Sequence, residues 1–282
     1  MIAAQEALSY GCKELTQKGI INSLLETKLL VRSILNISEE ELISSDELFL
    51  SKNQFEIYKL FLERRKKYEP IAYILNKREF WKDSFYVNNS TLIPRQDSEI
   101  IIETVLQYVP NEKSKLKFID LGTGSGCLII SLLKEYKYSS GVGIDNSQEA
   151  IKVAQRNKNI LHNNKRLRLH LADFSTFKTS EFDVVICNPP YVNKNEINNL
   201  QEDIINYEPH QAIFADEEGF IYYKNIIDNL KKNYKCGQKV FFEIGIGQDK
   251  IVCNLLKNND FNIIDVVNDI AGIPRCIAAK RI

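Results

Sequence analysis

Lys117-Phe-Ile-Asp-Leu-Gly-Thr-Gly-Ser-Gly126, followed by Cys127-Leu-Ile-Ile-Ser-Leu-Leu133, decides how this chain is read. The short apolar run predicts a strand, the three alternate glycines a turn, and the apolar stretch beyond them a helix. Glycines in such a turn permit backbone angles closed to other residues and remove Cβ atoms, while a helix start offers free N–H groups. A ligand can approach that turn closely. The dinucleotide fingerprint asks for glycine at the first, third and sixth positions, and the sixth position counted from Gly122 is Cys127. A pyrophosphate is therefore disfavoured.

Downstream, Asp145 stands in Gly143-Ile144-Asp145-Asn146 at the end of the next strand-like run, roughly 20 residues beyond the turn, where a carboxylate can accept both hydroxyls of a ribose. A ribose without a pyrophosphate fits S-adenosylmethionine. After the third such run comes Ala172-Asp173-Phe174, in which Asp173 can accept from an adenine amino group and Phe174 can pack on its face. Each feature has a plainer alternative: the turn closes a strand-helix joint, Asp145 caps a helix, Phe174 fills the core. Their recurrence at successive strand ends favours the ligand, because open α/β sheets bind ligands there.

Further strand-like runs are Asp183 to Cys187 and Val240 to Ile244, with helical stretches between most of the runs, which predicts a parallel sheet covered by helices. Phe261 to Val267, Gly272-Ile-Pro274 and Arg275 to Lys280 add two strands joined by a short turn, the last antiparallel. Residues from Met1 to about Leu75 read as helices, with Leu29, Leu30, Ile34 and Leu35 at helical spacing and no competing strand pattern. From Phe80 the pattern changes: Phe80-Trp81, Phe85-Tyr86-Val87 and Thr91-Leu92-Ile93 predict a β-hairpin connector ended by Pro94. Asp97-Ser98 before Glu99 predicts a capped helix start. The expected division is a helical domain over 1–77, a hairpin linker over 78–95 and an α/β domain over 96–282.

The 282 residues suit one full-sized domain with a smaller attachment, and 44% hydrophobic with 26% charged residues fit an ordinary globular chain. Its 37 basic and 37 acidic residues cancel, leaving no global field to hold a nucleic-acid duplex. The run Arg64-Arg65-Lys66-Lys67 reads as a solvated helix end. Cys12, Cys127, Cys187, Cys236, Cys253 and Cys276 include no CxxC pair and read as mostly buried thiols of a reduced cytoplasm. No basic leader segment or membrane-length apolar run is evident, so a cytoplasmic protein without membrane attachment is expected. His162, His170 and His210 lack metal or triad spacing and read as surface or structural residues.

Asn188-Pro189-Pro190-Tyr191 directly follows the fourth strand-like run. By itself it is a turn signal. Beside a cofactor at a switch point of the sheet it becomes an acceptor site for a planar nitrogen. An amide nitrogen is a poor nucleophile, since its lone pair is delocalised into the carbonyl. The Asn188 side-chain oxygen and the Pro189 carbonyl can each accept one N–H of an NH₂ group and turn the nitrogen towards a sulfonium methyl. Tyr191 can stack on the planar group, and the prolines stiffen the loop for the charge that develops on nitrogen. The charged product nitrogen loses its proton late, so no strong base is needed.

With these residues in place the chain resembles the HemK/PrmC protein-(glutamine-N5) methyltransferases over nearly its whole length. The matching stretches are Glu69-Pro70-Ile71-Ala72-Tyr73-Ile74, Arg78-Glu79-Phe80-Trp81, Thr91-Leu92-Ile93-Pro94-Arg95, Asp120 to Gly126, Asn188 to Tyr191, Tyr207-Glu208-Pro209, Glu243-Ile244-Gly245, and Gly272 with Arg275. The resemblance implies a class I S-adenosylmethionine-dependent methyltransferase: a Rossmann-like α/β domain with a small N-terminal helical domain for substrate recognition and a β-hairpin linker. It implies methylation of the glutamine in a Gly-Gly-Gln motif of class 1 peptide chain release factors. Carried over, Gly122, Thr123, Gly124, Ser125, Gly126, Asp145, Phe174 and Asn188 would bind cofactor; Asn188, Pro189, Pro190 and Tyr191 would bind the glutamine. Arg95 and Glu208 would stand near the substrate cleft. The chain departs from the family at Gln96 (usually proline), Asn76 (glycine), Phe174 (tryptophan) and Ala215-Asp216 (Gly-Gly). Asn can adopt a left-handed conformation and Phe still offers a stacking face.

Two other acceptors share this chemistry. One is the glutamine of a ribosomal protein; the other is an adenine N6 amine of nucleic acid, flipped from its stack. Neutral charge and a small helical domain count against the second, and stable nucleic-acid binding is not expected.

Overall fold

The computed structural model describes residues 1–44, 47–110, 115–162 and 165–282. The chain divides into two compact units, 1–77 with 201–207, and 78–200 with 208–282.

In the first unit β1 (Ile2–Ala3) leads into α1 (Ala4–Gln17), α2 (Ser23–Leu35) and α3 (Glu39–Ser44), then β2 (Phe49–Leu50), α4 (Lys52–Arg65) and α5 (Ile71–Leu75). Leu15, Leu30, Leu50 and Tyr58 are fully buried between these elements. α1 and α4 approach closely at Gly11, where a Cβ would lie 1.9 Å from the Tyr58 hydroxyl, which donates to the Ala7 carbonyl at 3.0 Å. The helical expectation needs one correction: β1 and β2 form an antiparallel two-residue ladder, too short for a period-2 pattern to register. A second concerns the basic run. Arg65 is buried and forks onto Glu26 at 2.7 and 3.0 Å, Arg64 onto Glu69, and Lys66 onto Glu14 at 2.8 Å. Arg64 and Arg65 do end α4, as expected, but Arg64, Arg65 and Lys66 spend their charge on ion pairs within the unit. Asn76, after α5, is left-handed with φ 52°.

The second unit opens with a hairpin, β3 (Arg78–Phe80) against β4 (Asp83–Phe85). It is shorter than expected, because Thr91 to Ile93 form no strand. A 3₁₀ turn, Gln96–Ser98, enters α6 (Glu99–Tyr108), and Ser98 does not cap it. There follow β5 (Lys117–Leu121), α7 (Cys127–Glu135), β6 (Ser140–Asp145), α8 (Gln148–Asn157), β7 (Leu167–Leu171), β8 (Val184–Cys187) and β9 (Val192–Asn193). Then come α9 (Glu202–Tyr207), which clusters with the first unit, β10 (Phe214–Ala215), α10 (Ile221–Lys232), β11 (Lys239–Glu243), α11 (Asp249–Lys257), β12 (Phe261–Asn268) and β13 (Pro274–Arg281).

Seven strands form one sheet in the order β12-β13-β11-β8-β5-β6-β7. β11, β8, β5, β6 and β7 run parallel, while β13 is antiparallel to both β11 and β12. Successive residues of β5 face opposite ways, so Phe118 joins the core under α6 and α7 and Ile119 joins the core under α10 and α11. From β5 the chain moves outward to β6 and β7, then returns to place β8 on the other side of β5. The carboxyl ends of β5 and β8 therefore flank the switch point of the sheet, where such folds hold ligands. No helix among the described residues is long and apolar enough to cross a membrane. Cys187 and Cys276 are buried, Cys12, Cys127 and Cys253 half-buried and Cys236 exposed, so the expectation of mostly buried thiols holds for only part of the set.

Candidate functional site

Above the switch point lies a cavity, where open α/β sheets hold their ligands. Gly122 to Ser125 form one wall, and Asp145, Phe174, Asn188, Pro189, Pro190 and Arg95 line it too. Gly122 and Gly124 have φ of +77° and +53°, and a Cβ on either would meet nothing within 4 Å. Glycine is needed there for the left-handed backbone, and the space beside it stays open. Gly126 opens α7 without lining the cavity.

The turn is anchored from beneath. Thr123 donates through its backbone to Ile144 at 2.8 Å and through its hydroxyl to Asp120 at 2.7 Å. Asp120 is fully buried, its Oδ1 has no hydrogen-bond partner among the described residues, and burial pushes its carboxyl up to about 7. Asp145, at the end of β6, accepts from the backbone of Gly124 and of Ser147, each at 2.9 Å. Burial raises its pKa against those bonds. Ser147, not Asp145, caps α8. The Asp145 carboxylate is thus held at the cavity wall.

Phe174 reaches the cavity beside Tyr222, the two rings edge-on with centroids 5.7 Å apart, and Asn229 fixes the Phe174 carbonyl at 2.6 Å. Asp173 does not join it. Its side chain is exposed and accepts from Ser175 N at 2.7 Å, closing a local turn. Residue spacing alone could not separate a carboxylate aimed into the cavity from one that closes its own loop.

Asn188, immediately after β8, donates from Nδ2 to the Ser98 hydroxyl at 3.0 Å. This leaves Oδ1 as the end of the carboxamide available to accept from a ligand. Tyr191 stands outside the cavity lining: its hydroxyl donates to Glu243 at 3.1 Å, and burial followed by the Glu243 charge raises its pKa. The hydroxyl is thus committed to a buried carboxyl, and the ring packs against the core under α10 and α11.

Arg95 lines the cavity and pairs with Glu208 at 2.5 Å, and the other oxygen of Glu208 accepts from Ile93 N at 3.1 Å. Glu208 thereby ties down both the arginine and the irregular segment before it. Burial first, then the nearby Arg95, lowers the pKa of Arg78, which donates to the Pro94 carbonyl at 3.0 Å. Sequence reasoning gives no site role to Ser98, Gln248 and Tyr222, whose contacts with Asn188, Tyr191 and Phe174 join residues far apart in the chain, and Glu243 enters it only within the stretch Glu243-Ile244-Gly245. His170 and His210 are exposed, and the side chain of His162 lies outside the described residues.

A family model described as the PrmC N-terminal domain matches residues 6–75, and one described as the methyltransferase small domain matches residues 97–212. A release factor glutamine methyltransferase of Thermodesulfovibrio yellowstonii is 36% identical over 95% of this chain and 96% of its own. A bifunctional methyltransferase of Rickettsia felis is 33% identical over 97% of this chain. The chain spans 57% of that protein's length, as it spans little more than half of the similar Rickettsia relatives. Among solved structures, the catalytic domain of hMettl16 superposes with a TM-score of 0.55 at 13% identity, covering 83% of this chain and 84% of that one. At that identity the likeness concerns the fold.

Proposed function

The chain belongs to the release factor glutamine methyltransferase family, and from that premise we propose that it transfers a methyl group from S-adenosylmethionine to the side-chain amide nitrogen (N5) of the glutamine in the Gly-Gly-Gln motif of class 1 peptide chain release factors. The observation that carries this reading is the Asn188 carboxamide, whose nitrogen is committed to Ser98 and whose oxygen is left for a donor, at the switch point beside the glycine turn.

The cavity fits S-adenosylmethionine. The turn leaves open backbone at Gly122 and Gly124, Asp145 presents a fixed carboxylate for ribose hydroxyls, and Phe174 offers an apolar face. When bound, the cofactor supplies an electrophilic sulfonium methyl.

The residues of this chain bind and orient. Asn188 Oδ1 and the Pro189 carbonyl accept the two N–H bonds of the substrate amide, which turns its nitrogen out of conjugation and towards the methyl. Both are neutral acceptors, suited to a nitrogen that becomes positive as the bond forms. Pro189 and Pro190 contribute no N–H groups to compete with them. Proton loss from the charged product nitrogen needs only water, and no histidine is assigned to it. Arg95, held by Glu208, stands at the cavity wall, where it can contact the substrate backbone.

The proposed partner is the release factor, with helical residues 1–77 recognising it, residues 78–95 linking and 96–282 carrying the chemistry, in the cytoplasm, where six free thiols are at home. Incubation of the purified chain with S-adenosylmethionine and a release factor, followed by peptide mass spectrometry, should add one methyl to the Gly-Gly-Gln glutamine. Absence of that methyl on a competent release factor would refute the proposal.

A further inference from the structure

We infer that Asn157, the last residue of α8, is a positioning residue for the cofactor cavity: its carboxamide fixes the glycine turn and the segment leading to residues 90–95 to one another. The inference rests on S-adenosylmethionine as the occupant of the cavity and is independent of which nitrogen accepts the methyl.

The cavity takes its lining from two irregular segments far apart in the chain. Gly122 to Ser125 belong to the turn after β5, while Thr91, Leu92 and Arg95 belong to the stretch that follows β4. Neither segment is part of a strand or helix, so side chains must help to place one against the other.

Asn157 supplies that connection. It is 1% exposed. Its Oδ1 accepts from Tyr86 N at 2.7 Å, and its Nδ2 donates to the Tyr86 carbonyl at 2.9 Å and to the Ser125 carbonyl at 2.8 Å. The partners themselves settle which end of the carboxamide is which, because a backbone N–H can only donate and a carbonyl can only accept. One planar group therefore pairs with both backbone groups of Tyr86, as a neighbouring strand would, and keeps a second donor for the turn.

α8 is placed to carry this group. Ala154 and Asn157, three positions apart, share a face of the helix, and a Cβ on Gly126 would lie 3.4 Å from that of Ala154. The start of the helix is tied to the same turn. Ser147, which caps α8, donates from its backbone to Asp145, and Asp145 accepts from Gly124. A closed circuit results, running from Gly124 through Asp145 and the length of α8 to Asn157 and back to Ser125. Arg156 lies over the Tyr86 ring at 3.6 Å, a separate contact between the helix and the same residue.

Tyr86 does not itself line the cavity. Cofactor that orders the turn and residues 90–95 is therefore felt at the Tyr86 N–H through Asn157, where a residue that only filled the core would transmit nothing. Aspartate at 157 would keep the shape but lose both donors, setting a carboxylate against two carbonyls.

The test uses the purified chain as wild type, Asn157→Ala, Asn157→Asp and Arg156→Ala, measuring S-adenosylmethionine affinity by calorimetry, thermal unfolding, and amide hydrogen exchange at Tyr86. At a temperature where each is folded, both Asn157 variants should weaken the cofactor Kd about tenfold or more, through lost preorganisation. Arg156→Ala, which keeps the carboxamide, should stay within about threefold of wild type. Saturating cofactor should slow exchange at Tyr86 about fivefold or more in wild type, and Asn157→Ala should lose most of that slowing. A lower melting temperature with unchanged Kd in both Asn157 variants would make Asn157 a core residue alone and overturn the role. An equal loss of affinity in Arg156→Ala would overturn it too, assigning the effect to the packing of α8. If neither Asn157 variant folds, wild-type exchange decides: slowing at Tyr86 supports the coupling, and unchanged exchange overturns it. A wild-type chain without measurable affinity for S-adenosylmethionine refutes the cofactor cavity, and the positioning role with it.

Discussion

Asp145 accepts from the Gly124 backbone N–H at 2.9 Å, so the carboxylate ending β6 is clamped to the glycine turn that leaves β5. One group thereby shapes two walls of the cofactor cavity. Asp145→Ala should weaken S-adenosylmethionine binding by about 10- to 100-fold, from the loss of both the ribose acceptor and the clamp. Calorimetry reads this directly; an unchanged Kd would remove Asp145 from the ribose role.

Asn188→Ala separates chemistry from binding. It deletes the acceptor but leaves the turn and Asp145 in place, so kcat should fall by roughly 100-fold or more while the cofactor Kd changes little. Single-turnover methylation with cofactor in excess provides the measurement. Unchanged turnover would exclude the clamp.

Glu208→Ala removes an ion-pair partner from Arg95 and an acceptor from Ile93 N together. Leaving a buried donor unsatisfied costs about 1–3 kcal/mol, and the freed arginine loses its fixed direction. Thermal unfolding should show the loss of stability. Release-factor KM should rise more than cofactor Kd.

Glu26→Ala strands the buried Arg65 guanidinium in the helical unit. Removing one member of a buried pair costs about 3 kcal/mol or more. Denaturant unfolding should therefore show a lower midpoint, and the double variant with Arg65→Met should regain part of it. A midpoint unaltered by Glu26→Ala would mean that the pair lies loosely in water.

Two buried carboxyls set a pH dependence of stability. Asp120 and Glu243 are both raised to about 7 from ordinary values of 3.8 and 4.5. In that window the folded chain binds more protons than the unfolded one, so this contribution is complete below about pH 4 and is lost as pH rises through about 7. Asp120→Asn should flatten the fall in melting temperature between about pH 5 and 8, since a neutral amide pays no ionisation penalty when buried. An equally steep fall in the variant would show that Asp120 does not titrate there.

What the sequence displayed was whatever depends on neighbours in the chain. The strand-turn-helix from Lys117 to Leu133 and the closing pair Phe261–Asn268 and Pro274–Arg281 carry their patterns within a dozen residues or so. What stayed hidden depends on distant partners. Arg65 looks like a helix-end cation until Glu26, 39 residues earlier, is placed against it. Ser98 looks like a cap, but its hydroxyl meets Asn188, 90 residues later. Thr91 to Ile93 have strand-forming side chains but no ladder to join, and Ile93 spends its N–H on Glu208. Tyr191 has the shape of a stacking platform, and only the position of Glu243, 52 residues later, shows that its hydroxyl is committed to a buried carboxyl.

In the sheet order β12-β13-β11, the last strand of the pair fills the gap between two strands that precede it in the chain. β12 is synthesised before β13, yet its partner within the sheet is β13, which sits between it and β11. Until β13 pairs with them, β11 and β12 have exposed edges and nothing to join them. Pairing between those edges in the wrong register, or with another chain, is the hazard of that interval. Insertion of β13 ends it, zipping both edges at once and bringing Arg275, carried on that strand, to the buried Glu243.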